Sequence, residues 1–291
     1  MVPQRLLVIS PVRNEAAHIE RVGRAMGAQE LLPDEWIVVD DGSTDRTVEL
    51  LRPLQAELPF LTVVERRNAP GVDPLAEGAA PRAFNAGLAH AHTTAFTHLM
   101  KLDGDVELPP SYLRELLGRF AADPQLGIAC GDLFERGPRG YRRLAIPPHH
   151  VHGALKCYTR ACFESIGGVQ ERLGWDTIDE TYARMRGFKT QSFRDISAVH
   201  HRPLGSASGR LRGRARHGEC AYIAHFDPLW VSLRSVKIAR QKPIGLSGLA
   251  FLYGYARAAA RRVERVPDPS FRTYARRELR ERMLRIVRTG S

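Results

Sequence analysis

Short apolar runs alternate with helical patterns through the first half of this chain, and that rhythm leaves few folds open. Leu6-Leu7-Val8-Ile9, Trp36-Ile37-Val38-Val39, Leu61 to Val64 and His98 to Leu102 read as strands. Between them lie amphipathic stretches in which Ile19, Val22 and Met26 share one helix face, as do Val48, Leu51 and Leu54. Such alternation builds βαβ units around a mainly parallel sheet. Asn14 is placed to cap the first helix, and Thr44 or Asp45 the second. Arg66 to Ala80, rich in Gly, Pro and Ala, reads as a mobile loop, and Pro81 suits the start of a helix running to about His92. Beyond Gly127 to Cys130, the start of another strand, the rhythm loosens. Residues 132–153 suggest a hairpin or irregular loop, Thr159 to Ser165 a short helix, and Val199-His200-His201 a strand end. From about Ser206 onward the pattern is helical.

Open α/β sheets bind ligands outside the carboxyl ends of their strands. Three of the first four strands end there in polar clusters: Pro11-Val12-Arg13-Asn14-Glu15, Asp40-Asp41-Gly42-Ser43 and Asp103-Gly104-Asp105. One such cluster is readily explained as a cap or turn; three on one sheet edge point to a site. Asp103 and Asp105 flank a glycine, so two carboxylates on a turn can face one hard cation. Mg²⁺ or Mn²⁺ held by few carboxylates takes its other ligands from water and substrate phosphates. No GxxxxGK[ST] and no GxGxxG after the first strand are present, which argues against a P-loop nucleotidase and a dinucleotide oxidoreductase. A diphosphate bound without either cradle needs a metal. A nucleotidyltransferase of related build would show a Gly-rich phosphate loop after the first strand, and Pro11 to Glu15 contains no glycine.

Charge is divided along the chain. The whole carries 43 Lys+Arg against 32 Asp+Glu, yet residues 202–291 alone hold 20 against 6. An Arg-rich tail raises the reading of a nucleic-acid-binding protein, but no helix-turn-helix, finger or RNA-recognition signature accompanies it, so no nucleic-acid partner is expected. No run approaches the roughly 18–20 apolar residues of a membrane span. Four cysteines without a CxxC pair make no disulfide framework, and a cytoplasmic location is expected.

The sequence resembles the family 2 glycosyltransferases, which have the GT-A fold. The resemblance rests on Ser10 to Glu15, Val38-Val39-Asp40-Asp41-Gly42-Ser43-Thr44-Asp45, Asn85 to Ala91, Leu102-Asp103-Gly104-Asp105, and Gly167-Gly168 with Leu173-Gly174-Trp175-Asp176. It covers about residues 5–201. It implies an α/β fold with a mainly parallel central sheet and helices on both faces. The GT-A catalytic domain would occupy residues 1–204, with a nucleotide-sugar half of about 1–105 and an acceptor half of about 106–204. A basic, mainly helical extension would fill 205–291. The implied activity is metal-dependent, inverting sugar transfer from a nucleotide diphosphate sugar to an acceptor hydroxyl, in cell-surface polysaccharide or glycolipid synthesis. Carried over by position, Pro11, Asn14 and Glu15 would line the nucleotide pocket, and Asp41 would read the base edge with Asp40 beside it. Asp103 would sit near ribose and metal, with Asp105 as direct ligand of Mn²⁺ or Mg²⁺ and Arg82 as a diphosphate or base contact.

Many relatives carry Glu-Asp where this chain reads Gly174-Trp175-Asp176-Thr177-Ile178-Asp179-Glu180. Asp176 is placed ahead of Asp179 as the base that takes the acceptor's proton; the alternative is that these acids only favour a helix start. His200 is a candidate further metal ligand or an ordinary loop histidine. His149, His150 and His152 have HHxH spacing but no supporting context for zinc. The apolar stretch Pro243 to Tyr255, followed by Arg257, Arg261 and Arg262, suits an anionic membrane surface where a glycan or lipid-linked glycan acceptor is presented. The competing reading is a helix packed on the catalytic domain.

Overall fold

The protein is described here from a computed structural model, which covers residues 4–66, 78–137, 140–202 and 209–289. Most of the expected loop at Arg66 to Ala80 lies outside the described residues. The chain divides into two compact units, Met1–Pro203 and Leu204–Ser291.

In the first unit, β1 (Leu6–Val12), β2 (Glu35–Asp40), β3 (Leu61–Glu65) and β4 (His98–Leu102) form a parallel array in the order β3-β2-β1-β4. Strands covered on both faces carry continuous apolar runs, and β1, β2 and β4 are buried almost throughout. Register places Val12 opposite Asp40 and Ile9 opposite Lys101. The polar clusters after β1, β2 and β4 therefore emerge together. The helices α1 (Ile19–Gly27), α2 (Thr47–Glu57) and α3 (Ala79–Ala89) are the crossovers. In α3, a Cβ on Gly87 would stand 2.7 Å from Ile9 and 2.8 Å from Val39, so a glycine there lets the helix rest directly on β1 and β2.

Beyond β4 the sheet is mixed rather than mainly parallel. After β5 (Val106–Glu107) and α4 (Tyr112–Ala122), β6 (Leu126–Gly137) runs through the segment expected to be irregular and pairs with β7 (Gly140–Arg143). β8 (Leu155–Thr159) inserts antiparallel between β4 and β6. The short helix α5 (Arg160–Ser165) and then α6 (Trp175–Met185) precede β9 (Lys189–His200), which lies parallel to β6 and antiparallel to β5. The last pairing sets His200 opposite Val106, beside Asp105.

Of the expected caps, Asn14 takes another role and Asp45 serves the start of α2. Asn14 has φ +54, and its side-chain oxygen accepts from the Thr44 N–H (2.8 Å), tying the β1 and β2 loops together. The first helix starts later, at Ile19. Asp45 accepts from the Thr47 N–H (3.0 Å), and α2 starts at Thr47.

The second unit contains α7 (Arg210–Ile223), α8 (Pro228–Ala239), α9 (Leu246–Ala260) and α10 (Pro269–Thr289). Ala221, Val231, Ile238 and Phe251 form a small core. A Cβ on Gly218 would lie 1.9 Å from the Phe251 carbonyl, and one on Gly254 1.8 Å from that of Ala215, so α7 and α9 meet backbone to backbone. No helix among the described residues is long and apolar enough to cross a membrane.

His98 is buried on β4 with its ring 5.0 Å from Phe120, and burial lowers its pKa to about 4. The unfolded imidazole titrates near 6.5, so between these values the unfolded chain binds a proton that the fold refuses. Stability therefore falls as pH drops from about 6.5 towards 4, and at pH 5 this one group costs about 1–2 kcal/mol. Thermal melts at neutral pH and near pH 5 should show a smaller acid-induced drop in Tm for His98→Leu than for the parent. An equal drop would contradict the assignment.

Candidate active site

The site is built from loop residues carried by β1, β2, β4 and β9. Gly104 lies so close to β1 that a Cβ there would meet Val12 at 2.7 Å and Glu15 at 3.1 Å. The glycine between the two aspartates thus lets the turn close onto Glu15. Asp105 is buried, with His200 Nε2 3.3 Å and Arg202 Nε 3.8 Å from its carboxylate. Arg202 also donates to Glu15 Oε2 (2.6 Å) and to the Asn14 carbonyl (3.2 Å). Glu15 in turn receives its position from its own N–H, which donates to Thr47 Oγ1 (2.8 Å).

The electrostatics follow from crowding. Burial, and then the charge of Asp105, push Glu15 up to about 8 despite Arg202. Burial also opposes ionisation of Asp105, but the His200 hydrogen bond and the His200 and Arg202 charges outweigh it and hold this carboxyl below its usual range. The reverse balance keeps His200 protonated to higher pH than usual. Three buried or half-buried carboxylates therefore share a site that needs positive charge.

Asp40 and Asp41 lie next to this cluster. Asp40 Oδ2 accepts from the Ser43 N–H (3.1 Å), while its Oδ1 is buried with no hydrogen-bond partner among the described residues. Asp41 accepts from Arg66 Nη1 (3.1 Å), and its N–H donates to the Val12 carbonyl. Pro11 is half-buried in β1 opposite Val39, and Arg82 is half-buried in the first turn of α3. Asn85, the seventh residue of α3, donates to the Val169 carbonyl (3.0 Å) and anchors the segment after Gly167-Gly168.

Asp176 and Asp179 occupy different environments. Asp176 lies half-exposed in the first turn of α6, after Gly174 in the left-handed conformation. Its carboxylate abuts Gly153, where an added Cβ would be 3.4 Å from Oδ2. The Gly153 carbonyl accepts from Lys101 Nζ (2.8 Å), and Lys101 also pairs with Asp103. Asp176 is thus linked to the Asp103 turn through Gly153 and Lys101. Asp179 is sealed inside: Lys156 Nζ lies 3.0 and 3.2 Å from its two oxygens, and Tyr158 donates its hydroxyl. Burial raises Asp179 to about 6.

Lys101, Lys156, Glu180 and Arg202 were not singled out by sequence. Lys101 and Lys156 face each other across β4 and β8. Lys156 is fully buried and donates to Glu180 Oε1 (3.1 Å) and the Asp176 carbonyl (2.6 Å). Both ammonium groups lie over the Trp175 ring, at 5.5 and 5.3 Å. Glu180 also accepts from the Val151 N–H (3.0 Å) and meets His150 at 3.0 Å, so His150 of the HHxH group is a structural partner. Arg202 directly follows His200-His201, but only the β5–β9 pairing reveals its reach to Glu15.

Among the described residues no three His, Cys, Asp or Glu side chains are already arranged to hold a metal ion. The fit lies in donor chemistry: Asp103 and Asp105 offer hard oxygens on one turn, with the His200 imidazole against Asp105. That set suits Mn²⁺ or Mg²⁺ with positions left for phosphate oxygens.

The sequence profile of glycosyl transferase family 2 matches residues 7–168, more than half of the chain. The chain belongs to that family and is a glycosyltransferase. Among solved structures it resembles a mannosyltransferase from Pyrobaculum calidifontis in complex with GDP-Man and Mn²⁺, with TM-score 0.57 and 21% identity over 94% of this chain and 84% of that one. It also resembles S. aureus TarS 1-349 in complex with UDP-GlcNAc, with TM-score 0.56 and 16% identity over 88% and 73%. These likenesses show the GT-A fold. No curated protein matches the chain by sequence.

Lys156 neutralises two buried carboxylates, so Lys156→Met should destabilise the fold by about 3–5 kcal/mol, the usual cost of orphaning a buried charge. Denaturant unfolding measures this, and a loss within about 0.5 kcal/mol, as for an ordinary surface change, would contradict the described network.

Proposed function

We propose that the protein is a divalent-cation-dependent, inverting glycosyltransferase that moves a sugar from a nucleoside diphosphate sugar to the hydroxyl of a glycan or lipid-linked glycan, in polysaccharide or glycolipid synthesis. The observation that carries this reading is the convergence of Glu15, Asp103, Asp105 and His200 on one sheet edge, linked through Lys101 and Gly153 to the half-exposed Asp176. The mannosyltransferase with GDP-Man and Mn²⁺, and TarS with UDP-GlcNAc, support a nucleotide-sugar donor.

Asp103, Asp105 and His200 would hold Mn²⁺ or Mg²⁺, which when bound supplies charge neutralisation for a departing diphosphate. Pro11, Asn14 and Glu15 would line the nucleoside side, with Asp40 and Asp41 at the base and ribose and Arg82 towards the diphosphate. Asp176 acts as general base. It removes the proton of the acceptor hydroxyl as that oxygen attacks the anomeric carbon, and the bond from that carbon to the diphosphate oxygen breaks on the opposite face. One displacement inverts the centre, the proton ends on Asp176, and the nucleoside diphosphate carries off the electron pair. Asp179 holds α6 through Lys156 and Tyr158 and takes no proton from the acceptor.

Release of nucleoside diphosphate from GDP- and UDP-sugars, with Mn²⁺ or a chelator, tests the reading. The parent should turn over at least one donor only with the cation, and Asp105→Asn should lose about 10²–10³-fold. Activity that survives the chelator unchanged would overturn the metal role. Asp176→Asn should lower kcat by about 10²–10⁴-fold at unaltered Tm, whereas Asp179→Asn should chiefly lower Tm. The opposite pattern would make Asp179 the base.

A further inference from the structure

The second unit exposes an apolar surface that its own core does not use. On α8, Val231, Ser235 and Ile238 turn inward, while Leu229, Leu233 and Val236, at i, i+4 and i+7, are exposed on another face. On α9, Phe251 and Gly254 are buried, and Leu249 (62% exposed) and Tyr253 face outward. The two helices touch: a Cβ on Gly248 would lie 2.5 Å from the Ser235 carbonyl. Between them the connecting turn presents Ile244 at 72% exposure. Isolated exposed leucines are ordinary, but a run of them on two packed helices and their turn marks a binding surface.

Charge identifies what it binds. Residues 228–262 contain 7 Arg and Lys and no Asp or Glu. Lys237, Arg240 and Lys242 are exposed around Ile244. A second copy of this chain would bring like charges together on the same patch, with no acid there to pair with them. A nucleic acid would satisfy the basic groups and leave the aliphatic ones in water. An anionic lipid surface satisfies both, because the aliphatic side chains enter the headgroup boundary while Lys and Arg remain at the phosphates. Neither helix is long and apolar enough to span, so the mode is interfacial.

We propose that the α8–α9 hairpin docks on the surface of an anionic bilayer, with Leu233, Ile244 and Leu249 entering the headgroup region. The inference stands apart from the sugar-transfer reading, since vesicle binding is measured without any donor or acceptor.

Flotation of the full chain with vesicles of phosphatidylcholine, alone or mixed with phosphatidylglycerol, tests it. The parent should float with the mixed vesicles and not with the neutral ones, and raised salt should weaken binding, because each basic side chain near an anionic leaflet tightens binding roughly fivefold. Leu249→Glu and Ile244→Glu should each reduce partitioning by about tenfold, and Lys242→Glu should reduce it on mixed vesicles, all at the parent's Tm. No flotation of the parent would overturn the proposal, as would equal flotation of Leu249→Glu at the parent's Tm. Light scattering that shows a parent dimer, split by Leu249→Glu, would assign the face to a second copy instead.

Discussion

Negative charge crowded at one edge of the sheet is the constraint around which the first unit is arranged. Glu15, Asp103 and Asp105 are brought together because β1 and β4 are parallel neighbours and because Gly104 has no side chain to hold their loops apart. Carboxylates this close and this buried cannot all ionise without cations. Arg202, His200 and Lys101 are the protein's own answer, each within contact of one of the three. In the proposed function, a divalent cation and the diphosphate it accompanies would meet that same need for positive charge.

The same device recurs one layer deeper, around a second buried lysine. Lys156, opposite Lys101 across two strands, gathers Asp179 and Glu180 and the carbonyl of Asp176. Trp175 lies under both ammonium groups. The two lysines therefore tie the Asp103 turn to the first turn of α6 and fix the position of Asp176 relative to that turn. Buried charge in this arrangement specifies position more than it adds stability.

The parallel half of the fold was legible because its strands are apolar throughout and its loops end in acids, so β1, β2 and β4 and their clusters could be read from residue order alone. The later half was not. β8 is set by antiparallel pairing with β4 and β6, and the length of β6 by parallel pairing with the distant β9, while the Pro, Gly and Arg content of residues 132–153 reads locally as a loop. Arg202 was invisible for the same reason: its proximity to Glu15 follows from β9 pairing with β5. Asn14 and Asp45 have capping chemistry, yet tertiary contacts drew Asn14 into stitching two loops together. The different surroundings of Asp176 and Asp179, one half-exposed and one buried, were hidden from three-residue helical spacing. In the second unit the Arg-rich pattern announced helices, while the outward face of α8 and α9 emerged only once their packed side was known.

Linkage between cation and nucleotide tests the central claim most directly. Calorimetric titration of GDP and of UDP, each with and without Mn²⁺, measures it in the absence of any acceptor. The account predicts that Mn²⁺ tightens binding of one of them by about tenfold or more, and that this gain disappears in Asp105→Asn. Equal affinity with and without Mn²⁺ for both nucleotides, or an undiminished gain in Asp105→Asn, would contradict it.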